Sequence, residues 1–336
     1  MNAFLKVLTV GVGALVLAAV GAYVYLMHAP APAAPDLKGA LRRDSLQVGA
    51  LTRSYLAYVP DRLAEHPALV LAFHGSNGNG QTMRVFTGFG FERLAEKYGF
   101  VVVYPDGFEG HWNDCRASGP YTANTLDVDD LGFVRALVRR FQDTHGVDPA
   151  RVFATGFSNG GHMAYRLALE MPEAIRAVAA VGANLPTPDN LDCTPAGRPV
   201  AVMILNGDAD PINPFEGGTV TIYGFGNRGR VHSAAATARY FGRLAGHDVD
   251  RAAPAAHGAP GVARTRWAAP ARPEVSLYAV RGGGHTIPQP YFRFPRLLGR
   301  TSTALDGPEE IWAFFARQLP AEGALRTTDA HPTLTN

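Results

Sequence analysis

Hydrophobic residues along this chain follow two rhythms. Short, continuous apolar runs, closed by Gly, Pro, Asp or Asn, occur at 100–104, 152–155, 177–181, 200–205 and 275–280. Runs of this kind predict strands buried on both faces, as in a parallel sheet. Ahead of them, Arg53-Ser54-Tyr55-Leu56-Ala57-Tyr58-Val59-Pro60 alternates polar and apolar positions and is followed by the continuous apolar run 68–73, which ends at His74-Gly75; the two read as an antiparallel pair entering the sheet, the first half-exposed. Between the runs the spacing turns helical. Leu131, Val134, Leu137, Val138 and Phe141 share one face of a helix that stops near His145-Gly146. Further helices are expected at about 160–171, ended by Pro172, at 233–245, and at 308–318, the last burying Ile311, Trp312, Phe314 and Phe315. Strand and helix alternate from 50 to 318 without a linker, so the expected fold is α/β: one doubly wound, mostly parallel sheet with helices on both faces. The Ala-, Pro- and Arg-rich stretch 251–272 reads as a surface loop, and 321–336 as a disordered tail.

The first residues break the rhythm. Lys6 precedes an apolar run from Val7 to Met27, followed by Ala29-Pro30-Ala31-Pro32-Ala33-Ala34-Pro35. The run exceeds a usual signal-peptide core and reaches spanning length, so 1–28 is expected to be a signal peptide or an N-terminal membrane anchor. Residues 29–47 then form a Pro/Ala-rich linker and 48–320 the domain that carries the chemistry. Either way Lys6 stays inside and the domain is exported, periplasmic or extracellular, with residues 7–27 as its tether if they are not cleaved. With 336 residues, 18% charged and a net charge of +2, nothing marks a polyanion partner, so nucleic acid is not expected. The two cysteines, Cys115 and Cys193, would sit where disulfides persist. Neither has a CxxC partner, and no His and carboxylate cluster has ligand spacing, so no metal or cofactor is expected.

Chemistry enters at Gly156-Phe157-Ser158-Asn159-Gly160-Gly161, where a GxSxG serine stands between a strand and a helix. A serine hydroxyl attacks well only when a histidine takes its proton and a carboxylate fixes that histidine. In an open sheet these groups lie on loops at the carboxyl ends of later strands, in the order Ser, acid, His. The run 200–205 leads to Asn206-Gly207-Asp208-Ala209-Asp210, and 275–280 leads to Arg281-Gly282-Gly283-Gly284-His285. His285 is the expected base; Asp208 and Asp210 both remain open as the acid. The oxyanion donors are expected to be the N–H of Asn159 and that of Ser76, in the loop His74-Gly75-Ser76-Asn77-Gly78-Asn79-Gly80. His162 reads as packing near the elbow and His111 as a loop residue, while Trp112, Phe215 and Tyr291 are candidate substrate contacts.

The chain resembles the polyhydroxybutyrate depolymerase and feruloyl esterase-like group of α/β-hydrolases. The resemblance lies in Tyr104-Pro105-Asp106-Gly107, Trp112-Asn113-Asp114-Cys115-Arg116, Asp127-Val128-Asp129-Asp130, the serine elbow, Gly226-Asn227-Arg228-Gly229-Arg230, Gly282-Gly283-Gly284-His285-Thr286 and Leu298-Gly299-Arg300-Thr301-Ser302. It implies the α/β-hydrolase fold, selects Asp210 as the acid, and pairs Cys115 with Cys193. It also implies a serine esterase acting on small-molecule or oligomeric esters: hydroxyalkanoate oligomers, feruloyl esters or similar small esters. The chain differs in Asn206, where the family commonly has histidine, and in Ile287, where a tryptophan often follows His-Thr. A serine peptidase or an acyltransferase would use the same triad, and a binding protein could keep the scaffold without the chemistry.

Overall fold

The computed structural model describes residues 3–251, 253–254 and 259–320, with side chains from Gly11 onward except at 253–254. Helix α1 (Ala3–Met27) precedes strands β1 (Ala40–Val48), β2 (Leu51–Val59) and β3 (Leu69–Phe73). Helices α2 (Gly80–Phe86) and α3 (Gly90–Tyr98) lead to β4 (Val101–Pro105); α4 (Thr122–Thr125) and α5 (Asp130–His145) lead to β5 (Val152–Phe157). Then come α6 (Asn159–Glu170), β6 (Ala177–Val181), β7 (Ala201–Gly207), a small hairpin of β8 (Gly218–Thr219) and β9 (Arg230–Val231), and α7 (Ala234–Leu244). Strands β10 (Ala253–Pro254), β11 (Val262–Ala269) and β12 (Arg272–Val280) precede the closing helix α8 (Gly307–Ala316).

Ten strands form one sheet in the order β1-β2-β4-β3-β5-β6-β7-β12-β11-β10. Its centre, from β4 to β12, is parallel, and β2 joins β4 antiparallel; the expected antiparallel pairing of 53–60 with 68–73 is thus corrected, since β3 lies between β4 and β5 and is parallel to both. Successive side chains of a strand point to opposite faces, and the core divides accordingly. Leu69, Leu71 and Phe73 pack with Phe133, Leu137, Met163 and Phe241 beneath α5, α6 and α7. Val70 and Ala72 pack with Met83, Phe91, Trp312 and Phe314 beneath α2, α3 and α8. Covering both faces is what lets the central strands be wholly apolar. The sheet is an α/β-hydrolase fold.

Two further sequence expectations need correction. Residues 40–47, placed in the linker, form β1 together with Val48 and pair with β2 along their full length. The strand lies at the sheet edge and is almost entirely exposed, so it carries charge where a buried strand would carry Val. Likewise 262–269, placed in a surface loop, is β11, antiparallel to β12. Its Arg264 and Arg266 reach Glu274 across the ladder, which is why its composition reads as solvent-facing. Helix α1 carries the N-terminal apolar run over 25 residues. The tail 321–336 lies outside the described residues.

Candidate active site

Strand β5 ends in a turn that only its sequence permits. Ser158 holds φ 56° and ψ −117°, a conformation an L-residue keeps only when its surroundings impose it. A Cβ on Gly156 would lie 2.0 Å from the Gly160 carbonyl oxygen, and one on Gly160 would lie 2.3 Å from that of Phe73. The two glycines therefore let β5, α6 and β3 close around the elbow, lifting the Ser158 hydroxyl above the sheet.

His285 Nε2 stands 2.8 Å from Ser158 Oγ, and His285 Nδ1 stands 2.7 Å from Asp210 Oδ2. The other carboxylate oxygen of Asp210 accepts the N–H groups of Ile212 and Asn213, both at 2.8 Å. These bonds fix the carboxylate plane, and His285 is buried. The loop bearing His285 needs its glycines: a Cβ on Gly207 would meet the Gly283 carbonyl oxygen at 2.1 Å, and one on Gly284 would meet that of Leu298 at 2.3 Å. Asp208, the rival acid, is exposed and accepts the Gly282 N–H at 2.6 Å. A serine, a histidine and a carboxylate hydrogen-bonded in this order can run acyl transfer through a covalent intermediate.

The loop 74–80 passes directly beside the elbow, since a Cβ on Gly75 would lie 3.3 Å from Ser158 Cβ. His74 braces this loop. Its Nε2 accepts the Gly107 N–H at 2.9 Å, so the proton sits on Nδ1, which donates to the Gly75 carbonyl at 2.7 Å. Burial, the largest influence, lowers the His74 imidazole to about 4, and it is neutral at pH 7. Trp112 Nε1 donates to the His74 carbonyl at 3.0 Å. On the other side, the Asn159 side chain accepts the Trp112 N–H at 2.8 Å and donates to Asp114. Asp114 in turn forms a buried ion pair with Arg116. Among the described residues, the backbone N–H groups of Ser76 and Asn159 donate to no acceptor within the chain.

The stretch 53–186 matches the model of the family described as Esterase PHB depolymerase. Over 275 residues the chain is 34% identical to NocK of Nocardia uniformis subsp. tsuyamanensis, covering 77% of each protein. The chain belongs to the esterase PHB depolymerase family. It is a carboxylic ester hydrolase. It is also 34% identical over 142 residues to feruloyl esterase B of Thermothelomyces thermophilus, a match that spans 39% of this chain and 47% of that enzyme. Acetyl xylan esterase from Aspergillus awamori has the same fold, with a TM-score of 0.51 at 20% identity over 75% of this chain and 96% of its own.

This esterase uses several expected residues differently. Trp112, named as a substrate contact, is wholly buried, with Phe73 edge-on at 5.0 Å. Its bond to His74 makes it a brace, so that assignment is corrected. Tyr291 lies at the surface with Arg93 over its ring at 4.0 Å. It borders a depression with His28, Pro30 and Arg293 that includes no triad residue. Phe215 is half-buried on the acid loop and packs onto the core beneath α7. The aromatic surface at the base comes instead from Phe157, 4.9 Å from the His285 ring, with Phe86 and Phe294 behind it. Ile287 is buried in the α8 core. His162 is buried one turn beyond Ser158, where desolvation holds it well below its ordinary pKa.

Proposed function

We propose that this esterase is an exported serine hydrolase whose acyl-enzyme forms on Ser158. His285 accepts the Ser158 proton as Oγ attacks the ester carbonyl, then gives it to the departing alcohol; Asp210 holds the imidazole and its positive charge. The N–H groups of Ser76 and Asn159 receive the carbonyl oxygen as it becomes an oxyanion. Water, deprotonated by His285, then adds to the acyl-enzyme, and collapse releases the acid and restores Ser158. The observation that carries this reading is the unbroken relay of 2.8 Å from Ser158 to His285 and 2.7 Å from His285 to Asp210. Its substrates are small or oligomeric esters of hydroxyalkanoate, feruloyl or similar type, in keeping with the family's description and the name of one relative. Export rests on the sequence of residues 6–35.

The test is Ser158→Ala in purified protein with p-nitrophenyl butyrate. Hydrolysis should fall by at least about a thousandfold while the fold survives. An unchanged rate, or fluorophosphonate labelling at another residue, refutes the assignment.

A further inference from the structure

The loop that supplies the Ser76 N–H does more than face the ester carbonyl. Ser76 Oγ is 3.1 Å from Tyr121 Oη, and Tyr121 Oη accepts the Arg228 Nε–H at 2.6 Å. Arg228 lies on the segment between β8 and β9. His111 stacks on the Tyr121 ring at 4.1 Å, and Arg116 and Arg228 each lie 5.7 Å from its centre. Arg116 is paired with Asp114, which also bonds Asn159. The cluster is thus tied to both proposed oxyanion residues, through Ser76 on one side and Asn159 on the other.

Its hydrogen-bond inventory is unbalanced. Two hydroxyls that share one hydrogen bond keep one hydrogen between them to donate elsewhere, whichever way the bond runs. Arg228 spends Nε on Tyr121 and Nη1 on the Gly226 carbonyl, leaving its other N–H groups to donate. Among the described residues no carboxylate pairs with Arg228, whereas Arg116 is neutralised by Asp114. One positive charge and a set of donors without acceptors therefore converge beside the oxyanion loop. A guanidinium fork with a neighbouring hydroxyl complements the two oxygens of a carboxylate, and a single uncompensated charge suits a monoanion better than a phosphate dianion.

We propose that Arg228, with the Ser76 and Tyr121 hydroxyls, binds a carboxylate carried by the substrate a few bonds from the scissile carbonyl, so that acidic esters are preferred over neutral ones. The proposal rests on the serine-esterase reading and adds the substrate class: monoesters of dicarboxylic acids, or acylated hydroxy acids.

Two matched pairs test it and separate the two sides of the ester. Monoethyl against diethyl succinate places the carboxylate on the acyl side; 3-butyryloxybutyrate against its methyl ester places it on the alcohol side. In one pair, the ratio of kcat/KM for the acidic to the neutral ester should fall about tenfold in Arg228→Ala, chiefly through KM. Arg228→Lys should keep part of the ratio, and Arg228→Glu should shift preference towards ethyl 4-aminobutyrate. In the wild type the ratio should shrink as salt is added. Ratios unmoved in both pairs, in an Arg228→Ala protein that still takes a fluorophosphonate label, overturn the proposal. So does a wild-type ratio that ignores salt. If the wild type hydrolyses these esters but Arg228→Ala leaves both ratios unmoved, only this proposal fails; if it hydrolyses none of the four, the serine-esterase reading fails with it.

Discussion

Removing the Cys115–Cys193 bridge should lower stability sharply and activity little. The two residues are 78 apart in sequence, and in the chain-entropy model a loop of that size constrains the unfolded chain by about 4.5 kcal/mol. Spread over a folded unit of roughly 280 residues, whose unfolding entropy is about 0.6 kcal/mol per degree, this corresponds to a Tm lower by about 8 °C. The active site is nearby, because Cys115 sits between Asp114 and Arg116. That segment has other anchors, however. Cys115 O accepts the Asp192 N–H at 3.2 Å, and the Ala117 N–H donates to Asn190 O at 2.8 Å. Ser118 N–H donates to Asn190 Oδ1 at 3.0 Å, and Asn124 Nδ2 donates to Asp114 O at 3.1 Å. In Cys115→Ala/Cys193→Ala, kcat/KM for p-nitrophenyl butyrate at 25 °C should stay within roughly threefold of wild type. Thermal melts and initial rates on one preparation decide it. A Tm drop of under about 2 °C refutes the entropic argument, and a large loss of kcat at unchanged Tm would make the bridge a device for positioning Asp114.

Two pH effects follow from buried groups. His74, lowered by burial to about 4, binds fewer protons folded than unfolded between that value and its ordinary 6.5. Its contribution to stability is thus complete above pH 6.5 and lost as the pH falls towards 4, on the order of 3 kcal/mol. His74→Asn should flatten Tm against pH across that window and lower kcat at least about tenfold, because Gly107 N–H and the loop carrying Ser76 lose their brace; an unaltered kcat would refute the bracing role. Burial pushes the Glu274 carboxyl up, but hydrogen bonds from Arg317, Arg266 and Ser276 outweigh it and hold the group at about 2. The stabilisation is present above the ordinary value of 4.5 and lost as the pH falls to 2, so Glu274→Gln should lower Tm at pH 6 more than at pH 2.5. Equal losses at both pH values would show that packing, not charge, holds β12 to β11 and α8.

Legibility in the sequence followed burial. Strands β3 to β7 announce themselves because helices cover both of their faces, and a strand without a solvent side is written in Val, Ala and Leu. Strands β1 and β11 lie near the edges, and their charged residues answer to solvent and to Glu274, so composition hides them. The serine elbow was legible because Gly156 and Gly160 are demanded by backbone contact, which no other residue type can satisfy. Asp208 and Asp210 could not be told apart by spacing. They differ in what each faces: Asp208 caps the Gly282 N–H, while Asp210 is held by two backbone donors and aimed at His285.

The braces behind the elbow act across the fold, which is why a linear reading mistook Trp112 for a pocket wall. A Trp beside an Asn and an Asp looks like a binding loop. In the structure the polar side-chain atoms of Trp112 and Asp114, and the Trp112 backbone, turn inward, to His74, Asn159 and Arg116. The same few residues fix the loop bearing Ser76 from one side and Asn159 from the other, so the proposed oxyanion donors are set against each other by a shared, buried scaffold. Preorganised donors of this kind need no rearrangement as charge develops on the carbonyl oxygen. Tyr121 and Arg228 lie at the outer edge of that scaffold. A carboxylate bound there would register the ester against the oxyanion donors through rigid neighbours, so the KM effect expected of Arg228 should come without a comparable loss of kcat.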